Sequence, residues 1–240
     1  RRGSAAVYLD IDHPEIEEFL EIRKPSGDFN RKALNLHHGV LLSDEFMEAV
    51  REGAEFNLKS PKDGSIRGTV DARSLFQKLV ETRLATGEPY IIFSDTVNNA
   101  MPKHHRELGL KVSTSNLCAE ITLPTGRDHL GGDRTAVCCL SSLNLEKWDE
   151  WNGEKTFVED VMRMLDNVID INFYAVAKAR NANLKHRPVG LGIMGFQDCL
   201  HQLGIPYSSN DAVEFADRSM EAVAYQAYWA STELAEERGC

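Results

Sequence analysis

The sequence predicts an α/β fold, and three observations carry that prediction. From Val70 to Thr86, Leu75, Phe76, Leu79, Val80 and Leu84 recur three and four residues apart, the period of a helix with one buried face. Pro89-Tyr90-Ile91-Ile92-Phe93 follows at once, too short for a helix and apolar on both sides, as in a strand covered on both sheet faces. The alternation returns later. Thr135 to Leu145 reads as a mostly buried strand, and helical patterns follow from Phe157 toward Ala179 and from about Ser209 to Glu237. A length of 240 residues is ample for a buried core, in one large domain or two smaller ones.

The remaining elements have local reasons. Ala5 to Leu9 is strand-like, and His13-Pro14-Glu15 opens a short helix through about Arg23, with proline early and acids in the first turn. Leu34 to Leu42 is a strand candidate, and Ser43-Asp44-Glu45 caps a helix carrying Phe46, Met47, Ala49 and Val50. Glu55 to Ser60 is extended and Pro61-Lys62-Asp63-Gly64 a turn. Gly87 stops the Val70–Thr86 helix. Asp95 to Gly109 and Gly126 to Arg134 read as polar connections. His37 and His38, adjacent in a strand, point to opposite faces, which does not suit one metal; a packed or hydrogen-bonded role for at least one is expected, and His104-His105 lies in a loop.

The formal net charge of -10 argues against a dedicated nucleic-acid binder, while leaving room for a pocket that takes a single nucleotide. No apolar run approaches a membrane span and no signal peptide opens the chain, so a cytoplasmic protein is expected. The five cysteines (118, 138, 139, 199 and 240) form no CxxC pair, so neither a zinc site nor a secreted disulfide framework is expected, and no metal is assigned. The chain begins at Arg1 without methionine and ends directly after a helical pattern; both ends read as cut from something longer.

The candidate chemistry lies in Ser115-Asn116-Leu117-Cys118-Ala119-Glu120-Ile121-Thr122-Leu123-Pro124. In an extended backbone Asn116, Cys118 and Glu120 share a face at a spacing of about 6 to 7 Å, which would line an amide, a thiol and a carboxylate along one small ligand. On pattern alone a strand with a buried cysteine acting as a small hydrophobe stays equally open. Cys138 and Cys139 face opposite ways and make a poor vicinal disulfide; one is packed and the other free for a partner, and the pattern does not say which. Gly190, Gly192 and Gly195 spell a GxGxxG string, the basis of an alternative reading as an NAD(P)-dependent oxidoreductase. The charged, proline-containing Lys185–Val189 is a poor preceding strand, so close packing or a tight strand-to-helix corner explains these glycines better.

Ser115–Pro124, followed by Ala136-Val137-Cys138-Cys139-Leu140-Ser141-Ser142-Leu143-Asn144-Leu145, resembles the catalytic core of the large subunit of class I ribonucleotide reductase. Arg2-Gly3-Ser4-Ala5-Ala6, the Thr86-Gly87 helix end before Tyr90-Ile91, and Arg187–Gly195 carry the same resemblance, in order and over nearly the whole chain. It implies a ten-stranded α/β barrel of two parallel five-stranded halves with a central finger loop. Residues 1–240 would then be a partial barrel domain, with an ATP cone and the C-terminal part of the barrel outside them. The implied reaction reduces ribonucleoside diphosphates by thiyl-radical chemistry. Cys118 would carry the radical, Glu120 act as general base, and Asn116 hold the ribose, with Leu117 and Ala119 completing the substrate contact. Cys138 would be one half of a redox disulfide whose partner lies upstream, and Cys139 packing. The resemblance further implies a metal-containing small subunit as radical source, no cofactor bound in this chain, ATP and dNTP effectors in the intact subunit, a homodimer, and thioredoxin or glutaredoxin as reductant. No nucleic-acid or membrane partner is implied. Alone the piece is expected to have no turnover, and a non-catalytic remnant is the other alternative.

Overall fold

In a computed structural model of the chain, residues 3–154 and 156–239 are described. Arg1, Arg2, Lys155 and Cys240 lie outside the described residues, and with them the arginine opening the resembling N-terminal stretch and the fifth thiol. The chain divides into two compact units, residues 1–131 and 132–240.

The first unit is built on a parallel sheet, β1 (Ala6–Asp10), β2 (His37–Leu42) and β5 (Tyr90–Phe93), in the order β1-β2-β5. Its helices are α1 (Ile16–Leu20), α2 (Asp44–Glu52), α3 (Ala72–Thr86), α4 (Ser94–Ala100) and α5 (Lys103–Glu107); β3 (Glu55–Lys59) and β4 (Ile66–Asp71) form an antiparallel hairpin, and β6 (Gly126–Arg127) is a two-residue strand. Val40 and Leu42 from β2, Phe46 from α2, Phe56 and Leu58 from β3 and Leu75 and Leu79 from α3 close one core. Phe46 is fully buried with its ring edge-on to Phe56 at 5.0 Å; a phenylalanine so placed contributes about 2–3 kcal/mol through removal from water. The Ser43 Oγ accepts from the Phe46 amide at 3.2 Å, as its N-cap position predicts, and Gly53 and Gly87 end α2 and α3 with left-handed φ of 68° and 79°.

Two expectations change here. The expected helix over Val70–Thr86 begins only at Ala72, because Asp71 is its cap, accepting from the Ser74 amide at 2.7 Å, and Ile66–Asp71 is spent on β4. The polar connection Asp95–Gly109 contains α4 and α5, short helices without the apolar periodicity that would announce them.

The histidine pair is hydrogen-bonded on both members. His37 Nδ1 meets one oxygen of Glu88, and His38 meets the other through Nδ1 at 3.1 Å and through its amide at 3.2 Å, with Arg23 3.5 Å away. Alternation argued against a shared metal and did not anticipate a shared carboxylate. Burial holds the His38 imidazole below its usual range, against the pull of Glu88. Burial works to raise the Glu88 carboxyl, but the hydrogen bonds from His37 and His38, with Arg23 behind them, leave it lowered. Both shifts act in one direction. A group whose folded value is depressed binds fewer protons folded than unfolded, so its contribution is present above the unfolded value and lost as pH falls. Stability of this unit is therefore expected to decline below about pH 6.5 through His38 and again below about pH 4.3 through Glu88. Urea midpoints at pH 8, 6 and 5 measure this; a midpoint that does not move between pH 8 and 5 contradicts the His38 assignment.

The second unit contains β7 (Asp133–Arg134), β8 (Leu140–Asn144) and β9 (Gly190–Met194), with α6 (Trp148–Trp151), α7 (Phe157–Ile171), α8 (Ala177–His186), α9 (Phe196–Leu203) and α10 (Asn210–Arg238). β8 and β9 run parallel, and Leu143, Leu145, Val158, Met162, Leu200, Phe215 and Val223 share its core. The strand expected over Thr135–Leu145 is confined to Leu140–Asn144, where β9 supplies ladder partners. The helix expected from Phe157 toward Ala179 breaks after Ile171: Asn172 leaves helical geometry at ψ 147°, and the Tyr174 hydroxyl donates to the Ile169 carbonyl at 2.7 Å, satisfying the end of α7 in place of a further turn.

Two of the three glycines are explained by close packing on β8 and its end. Gly190 and Gly192 lie within β9 itself, and Gly195, at φ 71°, stands at the cap of α9. A Cβ on Gly190 would come within 2.5 Å of the Leu140 side chain, and one on Gly195 within 2.5 Å of Asn144 Oδ1. A dinucleotide fingerprint needs its glycines after the strand, in the turn. Here two of them lie in the strand, and Gly190 approaches the Leu140 side chain of β8 too closely for a Cβ, which supports the close-approach reading at that position. The parallel strands number three in the first unit and two in the second, and closure of a ten-stranded barrel is not formed among the described residues. No helix among the described residues is long and apolar enough to cross a membrane.

Candidate active site

The segment Ser115–Pro124 is not a strand, which overturns the shared face expected of an extended backbone. Asn116 to Ala119 form a turn: the Ala119 amide donates to the Asn116 carbonyl at 3.2 Å, and Ala119 takes a left-handed φ of 65°. Side chains two residues apart in a turn do not keep the strand alternation.

The turn is closed at its neck by its own polar residues. Asn116 Oδ1 accepts from the Ile121 amide at 3.2 Å, and Ser115 Oγ donates to the Ile121 carbonyl at 2.7 Å. Closing the neck this way leaves Leu117, Cys118, Ala119 and Glu120 at the tip. Cys118 is exposed and unoxidised, so the reading of it as a small core hydrophobe does not hold. Glu120 is exposed as well, while Asn116 is half-buried with its side-chain oxygen occupied; its Nδ2 is the part left to meet a ligand.

Side chains far away in sequence hold the turn against the first unit. Asn98, from α4, clasps Val112 on the approach to the turn, donating Nδ2 to its carbonyl at 3.0 Å and accepting its amide on Oδ1 at 2.9 Å. The Tyr8 hydroxyl, from β1, donates to the Asn116 carbonyl at 2.6 Å. Burial raises the Tyr8 phenol above its usual value, a Ser115 hydrogen bond opposes this, and the negative forms of Tyr90, Glu120 and Cys118 add to the rise. The tyrosine therefore lies within electrostatic reach of the thiol and the carboxylate. Neither Tyr8 nor Asn98 was visible in sequence analysis, because nothing local distinguishes a strand tyrosine or a helical asparagine that faces a segment a hundred or fourteen residues away.

The other thiols belong to the second unit. Cys138 and Cys139 precede β8 and are both half-buried. Cys139 donates to the Leu165 carbonyl of α7 at 3.4 Å, and burial, reinforced by the nearby Asp166, raises its thiol. Cys199 is a core residue at 2% exposure. Among the described residues no three His, Cys, Asp or Glu side chains gather as a metal site.

Residues 1–240 match the family model described as the ribonucleotide reductase barrel domain. The chain belongs to this family. Its relatives include a protein of Frog virus 3 (isolate Goorha), provisionally named as a ribonucleoside-diphosphate reductase large subunit, 44% identical over 246 residues, covering all of this chain and 42% of that protein. The ribonucleoside-diphosphate reductase subunit alpha of Chlamydia trachomatis is 38% identical over 271 residues, covering all of this chain and 25% of its own. Among solved structures, the class Id ribonucleotide reductase alpha subunit of Actinobacillus ureae superposes with a TM-score of 0.80 at 29% identity, over 98% of this chain and 42% of that one. The chain thus spans less than half the length of these reductase proteins. Membership of the barrel family is what the motif resemblance pointed to, and it agrees with the α/β class the periodicity predicted.

Proposed function

We propose that this chain is part of the catalytic barrel of a class I ribonucleotide reductase large subunit, reducing ribonucleoside diphosphates to 2′-deoxyribonucleoside diphosphates. One observation carries the reading: an exposed cysteine at the tip of a braced turn, with a carboxylate two residues on, in a chain that matches the barrel family along its whole length.

A thiyl radical on Cys118 takes the 3′-hydrogen atom, because a sulfur–hydrogen bond is close in strength to a carbon–hydrogen bond beside oxygen. Glu120 accepts the 3′-hydroxyl proton, and the 2′-hydroxyl leaves as water. Asn116 contacts the ribose through Nδ2, with Leu117 and Ala119 beside it. Cys138 and an upstream cysteine supply two electrons and two hydrogens, one protonating the departing 2′-hydroxyl and one filling C2′, and end as a disulfide, and the hydrogen returned from Cys118 to C3′ restores the thiyl. The reading places the radical source in a metal-containing small subunit, effector control by ATP and dNTPs in the intact homodimeric large subunit, re-reduction by thioredoxin or glutaredoxin, and the work in the cytoplasm.

The test is a complete large subunit carrying this segment, supplied with its small subunit, a ribonucleoside diphosphate and a dithiol. Deoxynucleotide is expected, and Cys138→Ser is expected to permit at most incomplete turnover. Absence of product from the unsubstituted enzyme counts against the reading, and an unaffected cycle in the Cys138 variant moves the redox role to Cys139.

A further inference from the structure

We propose that Tyr8 is a positioning residue for the Cys118 turn, its hydroxyl setting how far the turn stands from the β1-β2-β5 sheet. The inference rests on the reading of Cys118 as the hydrogen-abstracting thiol and deepens it.

The bond joins residues 108 positions apart at 2.6 Å, short for a hydroxyl on a carbonyl. Its acceptor is the carbonyl at the base of the turn, which also receives the Ala119 amide, so one oxygen is held by the turn and by the sheet together. Because the contact is to main chain, it acts on where the turn lies and leaves the Asn116 amide group to its own partners.

The donor is equally fixed. Tyr8 lies mid-strand in β1, with Val7 paired to His38 and Leu9 to Val40 on either side. Its register partner is Gly39, where a Cβ would come within 2.5 Å of the Tyr8 ring. A side chain at that position would push the ring aside, and the glycine leaves room for it. Since burial raises the phenol, it remains a protonated donor through the neutral range, close to Cys118 and Glu120. Hydrogen-atom transfer demands a near-contact geometry, and a displacement of about 1 Å costs on the order of a hundred-fold in rate.

The experiment uses Tyr8→Phe, which keeps the ring and removes one hydroxyl, and Gly39→Ala, which displaces the ring by another route. One hydrogen bond is worth about 1 kcal/mol, which converts to roughly five-fold. In Tyr8→Phe, deuterium exchange at the Ala119 and Ile121 amides is expected to quicken about five-fold while the β2 amides Val40 to Leu42 do not change. In the complete enzyme, kcat should fall between about five-fold and a hundred-fold with KM unchanged, and Gly39→Ala should move the same two readouts in the same direction. Exchange at the turn that stays at the unsubstituted rate would overturn the proposal. So would parallel acceleration of the β2 amides, the mark of a merely structural role, or a rise in KM at constant kcat. Failure of the underlying reading shows separately: Cys118→Ser would then stay active whatever the exchange data say.

Discussion

Cys118→Ser, introduced into the complete large subunit, is expected to lower reduction by at least ~10⁴, the scale seen when an obligatory reacting group is deleted. The substitution changes one atom, but an oxygen–hydrogen bond is too strong for a seryl oxygen to take the thiol's place in a reversible hydrogen-atom exchange. Folding should not suffer, since Cys118 is exposed at the tip of the turn and makes no bond that closes its neck; surface replacements of this kind lie within about 0.5 kcal/mol. Nucleotide binding, melting temperature and turnover, measured on one preparation, separate chemistry from structure. Retained turnover would remove Cys118 from the mechanism.

The largest stability effect is expected at Asp166, on α7. Its carboxylate takes Arg187 Nε at 2.6 Å and Arg238 at its other oxygen, and Arg187 continues to the Asp166 carbonyl at 2.9 Å and to Asp170 at 2.8 Å, while Arg238 reaches Asn167. Asp166 is 8% exposed. Asp166→Ala would leave two guanidinium groups beside a largely buried gap, a loss of about 3 kcal/mol, at the low end for a broken buried pair because both arginines are partly solvated. Arg238→Ala removes one arm and leaves Arg187 in place, at about 1 kcal/mol. Urea unfolding followed by a signal from Trp148 and Trp151 measures both, and an Asp166 variant within 0.5 kcal/mol of the unsubstituted chain would show that the network is not structural.

The elements legible in the sequence were those whose periodicity and punctuation agree. α2, α3 and α10 show an apolar stripe, with Ser43 capping α2 and Gly87 stopping α3, while the Asp71 cap of α3 was visible only in the structure. β1, β2 and β5 were read as short strand-like runs in the sequence. What stayed hidden was marginal by itself. α4 and α5 are short and polar, and α9 begins at a glycine that also reads as a nucleotide fingerprint. The GxGxxG string shows how one pattern carries two meanings: the ladder to β8 places Gly190 and Gly192 within a strand, and Gly195 stands at the start of α9.

The residue types at Asn116, Cys118 and Glu120, their place in the chain and the family motif around them were all determined by the sequence alone, because covalent order needs no folding to be read. Their geometry was decided by tertiary structure. Ser115, Asn116 and Ile121 close the turn with local bonds, but where it sits is held by Tyr8 and Asn98 from β1 and α4, through hydrogen bonds that exist only once the chain has brought distant segments together. The same applies to Cys139, whose contact with the Leu165 carbonyl of α7 no local pattern announces.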